Sequence, residues 1–135
     1  MFYDMGYVLD FLYLIRYNIC MNTEWTIDFY KNEDNKSPVE EWLLSIPETA
    51  LAKIARNMGL LREFNISLKE PYIKPLGDKL YEIRAKDANG IYRVIYFAYT
   101  GKKFIMLHGF TKKTQKTPTK ELKLAKKRME EMING

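Results

Sequence analysis

Arg84 and Arg93 flank the dipeptide Asn89-Gly90 in the stretch LYEIRAKDANGIYRVIYFAY. Asn-Gly between two alternating apolar runs is a strong hairpin signal. The two arginines therefore fall on neighbouring strands, close to each other across the sheet, and the pattern leaves their register open. Two guanidiniums on one sheet face repel unless an anion lies between them. Glu82, on the same strand as Arg84, supplies part of that charge. A phosphate is the better match, because arginine grips it through two parallel hydrogen bonds. The next apolar run, FIMLHGF, carries the single histidine, His108, and leads straight to Lys112 and Lys113. These residue types suit phosphate chemistry on a polyanion. Fixed cations hold and stabilise the phosphate, and a carboxylate, an imidazole and an amine are candidate proton carriers.

The charge distribution points the same way. Ten basic residues and one acid, Glu121, lie between Lys102 and Arg128, a net +9 in a chain whose total is +5. Basicity this local is the footprint of a face that binds a polyanion. A solvated lysine-rich helix is the plainer account of the same run. Lys116, Lys120, Lys123, Lys126 and Lys127 would extend the positive surface as backbone contacts. Tyr92, Tyr96 and Tyr99 add rings that can stack on bases, with ordinary strand packing as the competing account.

The elements that must position these groups can be read from periodicity. EWTIDFY alternates like a half-buried strand. Ser37 is a suitable N-cap, with Pro38 at the first helical position and Glu40 three residues after the cap, so a helix is predicted over 38–45. Leu51, Ile54, Met58, Leu61 and Phe64 fall at helical spacing and predict a second helix over 47–64. NISLKEPYIKPLGD, with two prolines and a glycine, reads as a loop. KLYEIRAK, IYRVIYFAY and FIMLHGF are three strands joined by short turns, hence antiparallel. Thr117-Pro118 opens a last helix whose buried stripe is Leu122, Ala125, Met129, Met132 and Ile133. The order β-α-α-β-β-β-α implies an α+β domain: an antiparallel sheet with two helices on one face and a C-terminal helix. The other face is expected to be partly open, since Glu82, Arg84 and Arg93 lie on it.

One cysteine, Cys20, excludes a disulfide within the chain, and one cysteine with one histidine excludes a Cys/His zinc site. No metal or cofactor is expected, and a reducing, cytoplasmic setting fits. Residues 1–20 are apolar and aromatic, but Asp4, Asp10 and Arg16 interrupt them. They match neither a spanning helix nor a signal peptide, and no membrane is expected as a partner. Residues 1–20 read as an accessory segment or an annotation extension ahead of a domain over 21–135; a short amphipathic strand or helix packed on the domain is the plain alternative.

The run from L-Y-E-I-R through Y-R-V-x-Y and L-H-G-F-x-K-K-T-Q-K-T-P to a helix with E-x-x-x-A-K-x-R resembles the phage-derived HigB-like branch of the RelE toxin superfamily. The upstream S-P-V-E-E-W-L helix start matches as well, and the resemblance covers residues 21–133. It implies a toxin of a type II toxin–antitoxin system: a metal-independent endoribonuclease that cuts messenger RNA, usually on the ribosome. Its partner would be a HigA-like helix-turn-helix antitoxin, in a hetero-oligomer. Within that resemblance Arg93 is the arginine of Y-R-V-x-Y, and Arg84 takes a position where relatives carry a basic residue. Lys112 and Lys113 fall where relatives place a basic residue after the last strand. His108 is harder to assign, since relatives that use a histidine as base do not always place it there.

Such cleavage needs the 2′-hydroxyl deprotonated, the pentavalent phosphate stabilised and the leaving 5′-oxygen protonated. Fixed positive charge does the second job. A lysine crowded by other cations gives up its proton more readily, so the basic cluster contains a candidate base. Glu82 and His108 are rivals, and the sequence does not choose. Two other readings stand beside the enzyme: a non-catalytic RNA-binding module, and a decayed toxin retained as antitoxin partner.

Overall fold

A computed structural model describes residues 24–113 and 116–135 of the chain; the segment 1–20 lies outside the described residues. Strand β1 (Thr26–Phe29) is followed by helices α1 (Pro38–Ser45) and α2 (Glu48–Phe64) and a short 3-10 turn, Asn65–Ser67. Strands β2 (Ile73–Gly77), β3 (Leu80–Asp87), β4 (Gly90–Tyr99) and β5 (Lys103–Lys112) come next, and helix α3 (Thr119–Asn134) ends the chain. The strands form one sheet in the order β1-β5-β4-β3-β2.

The local signals act as the sequence predicts at α1. The Ser37 hydroxyl accepts from the Glu40 amide at 3.1 Å, and Pro38 stands in the first turn. Between β3 and β4 the Asp87 carboxylate accepts from the amides of Asn89 and Gly90. The two-residue loop is Ala88-Asn89, because Asp87 pairs with Gly90. Gly90, at φ +154°, then starts β4 in a conformation that side chains disfavour.

Two expectations are corrected. The sheet is mixed, not antiparallel, because β1 pairs with β5 in parallel. The predicted loop before Leu80 contains a strand, β2, antiparallel to β3. Pro75 is tolerated there because β2 is an edge strand, and the pairing breaks register between Pro75 and Gly77.

Strand alternation sends side chains to two cores. On one face Ile83, Val94, Tyr96, Phe104 and Met106 pack against Val39 and Leu43 of α1 and Leu51, Ile54, Met58 and Leu61 of α2. Each enclosed Leu, Ile or Met contributes about 1.5–3 kcal/mol relative to an exposed position. On the other face Leu80, Ile95, Phe97, Ile105, Leu107 and Phe110 pack against Ala125 and Met129 of α3. That face is therefore covered by α3 and not open as expected: Glu82 and Arg93 are fully buried. Among the described residues no helix is long and apolar enough to cross a membrane.

Candidate functional site

Register decides which groups meet. Arg84 stands directly opposite Arg93, and Arg93 directly opposite Phe110, so the three form one row across β3, β4 and β5. The neighbouring row is Lys74, Glu82, Ile95 and His108. On the other side lies Lys86, Ile91 and Lys112, at the end of the sheet.

A bulge in β5 makes this arrangement. Ile95 pairs with His108 while the next residue, Tyr96, pairs with Met106, so Leu107 is extra. Before the bulge the odd-numbered residues of β5 face α3; after it the even-numbered ones do. Leu107 and His108 thus share the α3 face, and Phe110 and Lys112 join the arginines. Gly109 turns to the opposite face, where the Trp42 ring lies so close that a Cβ would come within 2.3 Å of it. Only glycine leaves room for that contact.

The arginine row is built around the Glu82 carboxylate. Arg84 Nε is paired with Glu82 Oε1. Arg93 Nε lies 4.0 Å from the same oxygen. The second oxygen, Oε2, accepts from the Thr117 hydroxyl at 2.6 Å. Arg93 Nη1 in turn donates to Thr117 Oγ1 at 3.3 Å, and its guanidinium lies 5.9 Å from the centre of the Phe110 ring. Burial pushes the Arg93 guanidinium's pKa down; Glu82 opposes that shift and Arg84 adds to it. Arginine remains a cation under such shifts. The predicted pairing of Arg84 and Arg93 is present, but the two differ in access. Arg84 retains 22% of its side-chain exposure, whereas Arg93 has none.

His108 is brought to the same face and then held by α3. Its Nε2 is 2.8 Å from Glu121 Oε1, and its Nδ1 is 3.5 Å from Arg128 Nη1. Arginine can only donate, so Nδ1 accepts and the Nε2 hydrogen goes to Glu121. Arg128 also donates to the Leu107 carbonyl at the bulge, at 2.8 Å. Burial lowers the His108 pKa; Glu121 opposes this and Arg128 reinforces it. The ring stacks on Phe110, with centroids 5.4 Å apart.

The lysines divide. Lys112 and Lys113 are exposed at the end of β5, beside the arginine row. Lys116 lines a cleft of about 360 Å³ together with Lys74, Pro75, Leu76, Thr117 and Leu122. Lys120, Lys123 and Lys127 are exposed on α3, and Lys126 lies 3.5 Å from Asp78. A wider hollow, about 610 Å³, lies elsewhere and includes Glu33, Asp34 and Glu131 in its walls, a poor match to a polyanion. The stacking expected of the tyrosines does not fit their placement. Tyr92 and Tyr96 are packed in the core on the helix-pair side. Tyr99 packs against the α3 core and donates to the Met132 carbonyl.

Sequence reasoning missed Thr117, Phe110, Glu121 and Arg128 as parts of the network, and Lys74 and Lys86 at its margins. Thr117-Pro118 does open α3, but Pro118 is the cap residue and no side chain caps the helix; the Thr117 hydroxyl goes to Glu82 instead. Glu121 and Arg128 were visible as the outer residues of E-x-x-x-A-K-x-R, without a role. Among the described residues no three of His, Cys, Asp and Glu are grouped to hold a metal ion.

The class this defines is an α+β protein whose mixed sheet carries a guanidinium pair, Arg84 partly exposed and Arg93 enclosed, and ends in exposed lysines. Residues 41–130 match the family described as Phage derived protein Gp49-like (DUF891), and the chain belongs to that family. The fold is similar to that of a double arginine-to-alanine mutant of the E. coli toxin RelE in the free state. The TM-score is 0.55 at 17% sequence identity, over 79% of this chain and 99% of that one. No curated protein matches the chain in sequence.

Proposed function

We propose that this protein is the toxin of a type II toxin–antitoxin system and a metal-independent endoribonuclease that cuts messenger RNA on the ribosome. Membership of the phage-derived family and the RelE-like fold support the toxin reading. The observation that carries the chemistry is the cross-strand pair Arg84 and Arg93 around Glu82, next to Lys112 and Lys113 at the sheet end. In the reaction the 2′-oxygen attacks the adjacent phosphorus, the bond from phosphorus to the 5′-oxygen breaks, and a 2′,3′-cyclic phosphate and a 5′-hydroxyl result. A base takes the 2′-hydroxyl proton and an acid returns one to the 5′-oxygen. Arg84, the guanidinium that reaches solvent, is the contact to the scissile phosphate. Arg93, enclosed behind it, is a positioning residue that fixes Glu82 and the Thr117 segment. Lys112 and Lys113 are the candidate proton carriers, and the exposed lysines of α3 hold the RNA backbone. The partner is a HigA-like helix-turn-helix antitoxin that silences the toxin in a hetero-oligomer.

One observation favours a non-catalytic RNA-binding module or a decayed toxin retained as antitoxin partner. Glu82 and His108, two of the three rival bases, are already engaged inside the protein. Turnover separates the readings. RNA ends mapped after brief expression without antitoxin, and product counted against enzyme on programmed ribosomes, should show cut ends in excess of protein. Stoichiometric protection of RNA, with growth unaffected, would replace the enzyme by a binder.

A further inference from the structure

The cleft of about 360 Å³ between β2 and the start of α3 shares a wall with the arginine network. Thr117 lines it, and the Thr117 hydroxyl is the group that donates to Glu82 Oε2 and accepts from Arg93 Nη1. Lys74 lines it from β2. Lys74 pairs directly with Glu82, and cross-strand partners send their side chains to the same face. Arg84, two residues further along β3, is therefore the diagonal neighbour of Lys74, at the spacing of about 7–8 Å that long side chains can bridge. β2 is the end strand of the sheet, and Lys74 and Pro75 are exposed on it, so the cleft opens to solvent at the rim.

The walls combine two chemistries. Lys74 and Lys116 supply charge, and among the described residues no acid lines the cleft. Pro75, Leu76 and Leu122 supply an apolar surface. Both leucines pack against the core beneath α3, which holds them in place. A face that only tracks phosphates needs cations and no apolar wall. A nucleotide uses both, because its base offers a flat ring for apolar contact while the phosphates on either side of it take the cations. The volume lies at the low end of the range for small-molecule sites, about 300–1,000 Å³, which is room for one base and its sugar. A peptide side chain would suit the apolar wall as well. Position favours RNA: a strand whose phosphate meets Arg84 passes Lys74 next.

We infer that this cleft is a nucleobase subsite. It takes the base of one nucleotide beside the scissile phosphate, against Pro75, Leu76 and Leu122, with Lys74 and Lys116 on the adjoining phosphates. The inference rests on the RNA-cleaving reading of the arginine row and adds to it the residues that sense a base. A base seated there lies against Thr117, the residue that ties Glu82 to Arg93.

A 2′-deoxy trinucleotide tests it, since it lacks the attacking hydroxyl and stays uncut. It is titrated into the full chain intact and with one base missing at each position in turn, and binding is read by NMR on labelled leucine methyls and arginine side chains. Loss of one particular base should lower affinity roughly fivefold, the lower end of the gain per stacked base because this wall is aliphatic, and loss of either other base less than about twofold. The form that lacks the critical base should leave the Leu76 and Leu122 methyls unshifted. Leu76→Ala should bring that form and the intact one to equal affinity while binding at Arg84 persists. Lys74→Ala, at an exposed site, should weaken every form and keep the difference between them. Equal affinity of all forms for the wild-type chain, with the leucine methyls unmoved, overturns the subsite and leaves the RNA reading standing. A Lys74→Ala chain that binds every form as the wild type does also overturns it. Failure of every form to bind, with Arg84 unmoved, overturns both the subsite and the RNA reading.

Discussion

Replacing Arg93 by alanine removes a cation that is fully enclosed and stands among Glu82, Thr117 and Phe110. Removing one partner of a buried charge pair costs about 3–5 kcal/mol, because the other charge stays behind in low dielectric. Glu82 keeps Arg84 and the Thr117 hydroxyl, so the lower end, about 3 kcal/mol, is the expected loss. Against a total stability of about 5–15 kcal/mol for a domain this is a large fraction. With a urea slope of about 1–3 kcal/mol/M, the unfolding midpoint should fall by roughly 1–3 M. The intrinsic fluorescence of Trp25 and Trp42, which both pack on the first core, reports the transition without touching the site. Arg84→Ala should shift the midpoint much less, because Arg84 is partly exposed and its ion pair is screened. Glu82→Gln combined with Arg93→Ala should be milder than the two single losses added together, by about 1–2 kcal/mol, because the stranded charge is gone. An Arg93→Ala protein with a wild-type midpoint, and no coupling to Glu82→Gln, would sink the argument that Arg93 is a positioning residue within a buried network.

Lys112→Ala with Lys113→Ala should lower the single-turnover rate on programmed ribosomes at saturation. Neutralising Lys120, Lys123 and Lys127 should instead weaken RNA binding and flatten its salt dependence by about 0.7 per lost phosphate contact; the reverse pattern would exchange their roles. His108 has its folded pKa held below the ordinary 6.5 by burial, so the unfolded chain binds more protons and stability should fall as pH drops below that value. The urea midpoint from pH 7.5 to pH 5 should therefore slope more steeply in wild type than in His108→Gln, and parallel slopes would remove His108 as the cause. Gly109→Ala forces the Trp42 ring aside and should cost about 1–3 kcal/mol with a changed tryptophan emission; an unchanged midpoint would mean the ring moves freely. A chain starting at Met21 should still cleave RNA if it folds, since the signals of the domain begin at Met21, and folded but inactive protein would contradict that.

Local chemistry was legible in the sequence where it alone decides structure. Ser37, Pro38 and Glu40 announced the start of α1, and Asn89-Gly90 announced the hairpin that sets Arg84 beside Arg93. What escaped was set by tertiary context. Pro75 argues against a strand unless the strand is known to be an edge, and edge position is not written locally. The parallel pairing of β1 with β5 depends on a crossover through both first helices. Thr117 reads as a cap by its place before Pro118, yet its hydroxyl goes to a carboxylate far away in sequence. Arg93 and Glu82 looked solvent-facing because charge usually is. The stripe of α3 was read correctly at Ala125 and Met129, but not which sheet face it would cover.

The extra residue at Leu107 makes the site a matter of counting. Were the ladder to run on without the bulge, with Leu107 opposite Ile95, every reactive group in the chain would still be present and β5 would keep its hydrogen bonds to β4. Yet beyond that point His108, Phe110 and Lys112 would point at the helix pair, and Gly109 and Thr111 at the arginines. A one-residue slip of register is thus a sharper lesion than most substitutions, since it changes no chemistry and reverses orientation. It also bears on how relatives should be aligned. A gap placed one position to either side of the bulge would equate residues on opposite faces of the sheet, and identical letters would then describe different places in space.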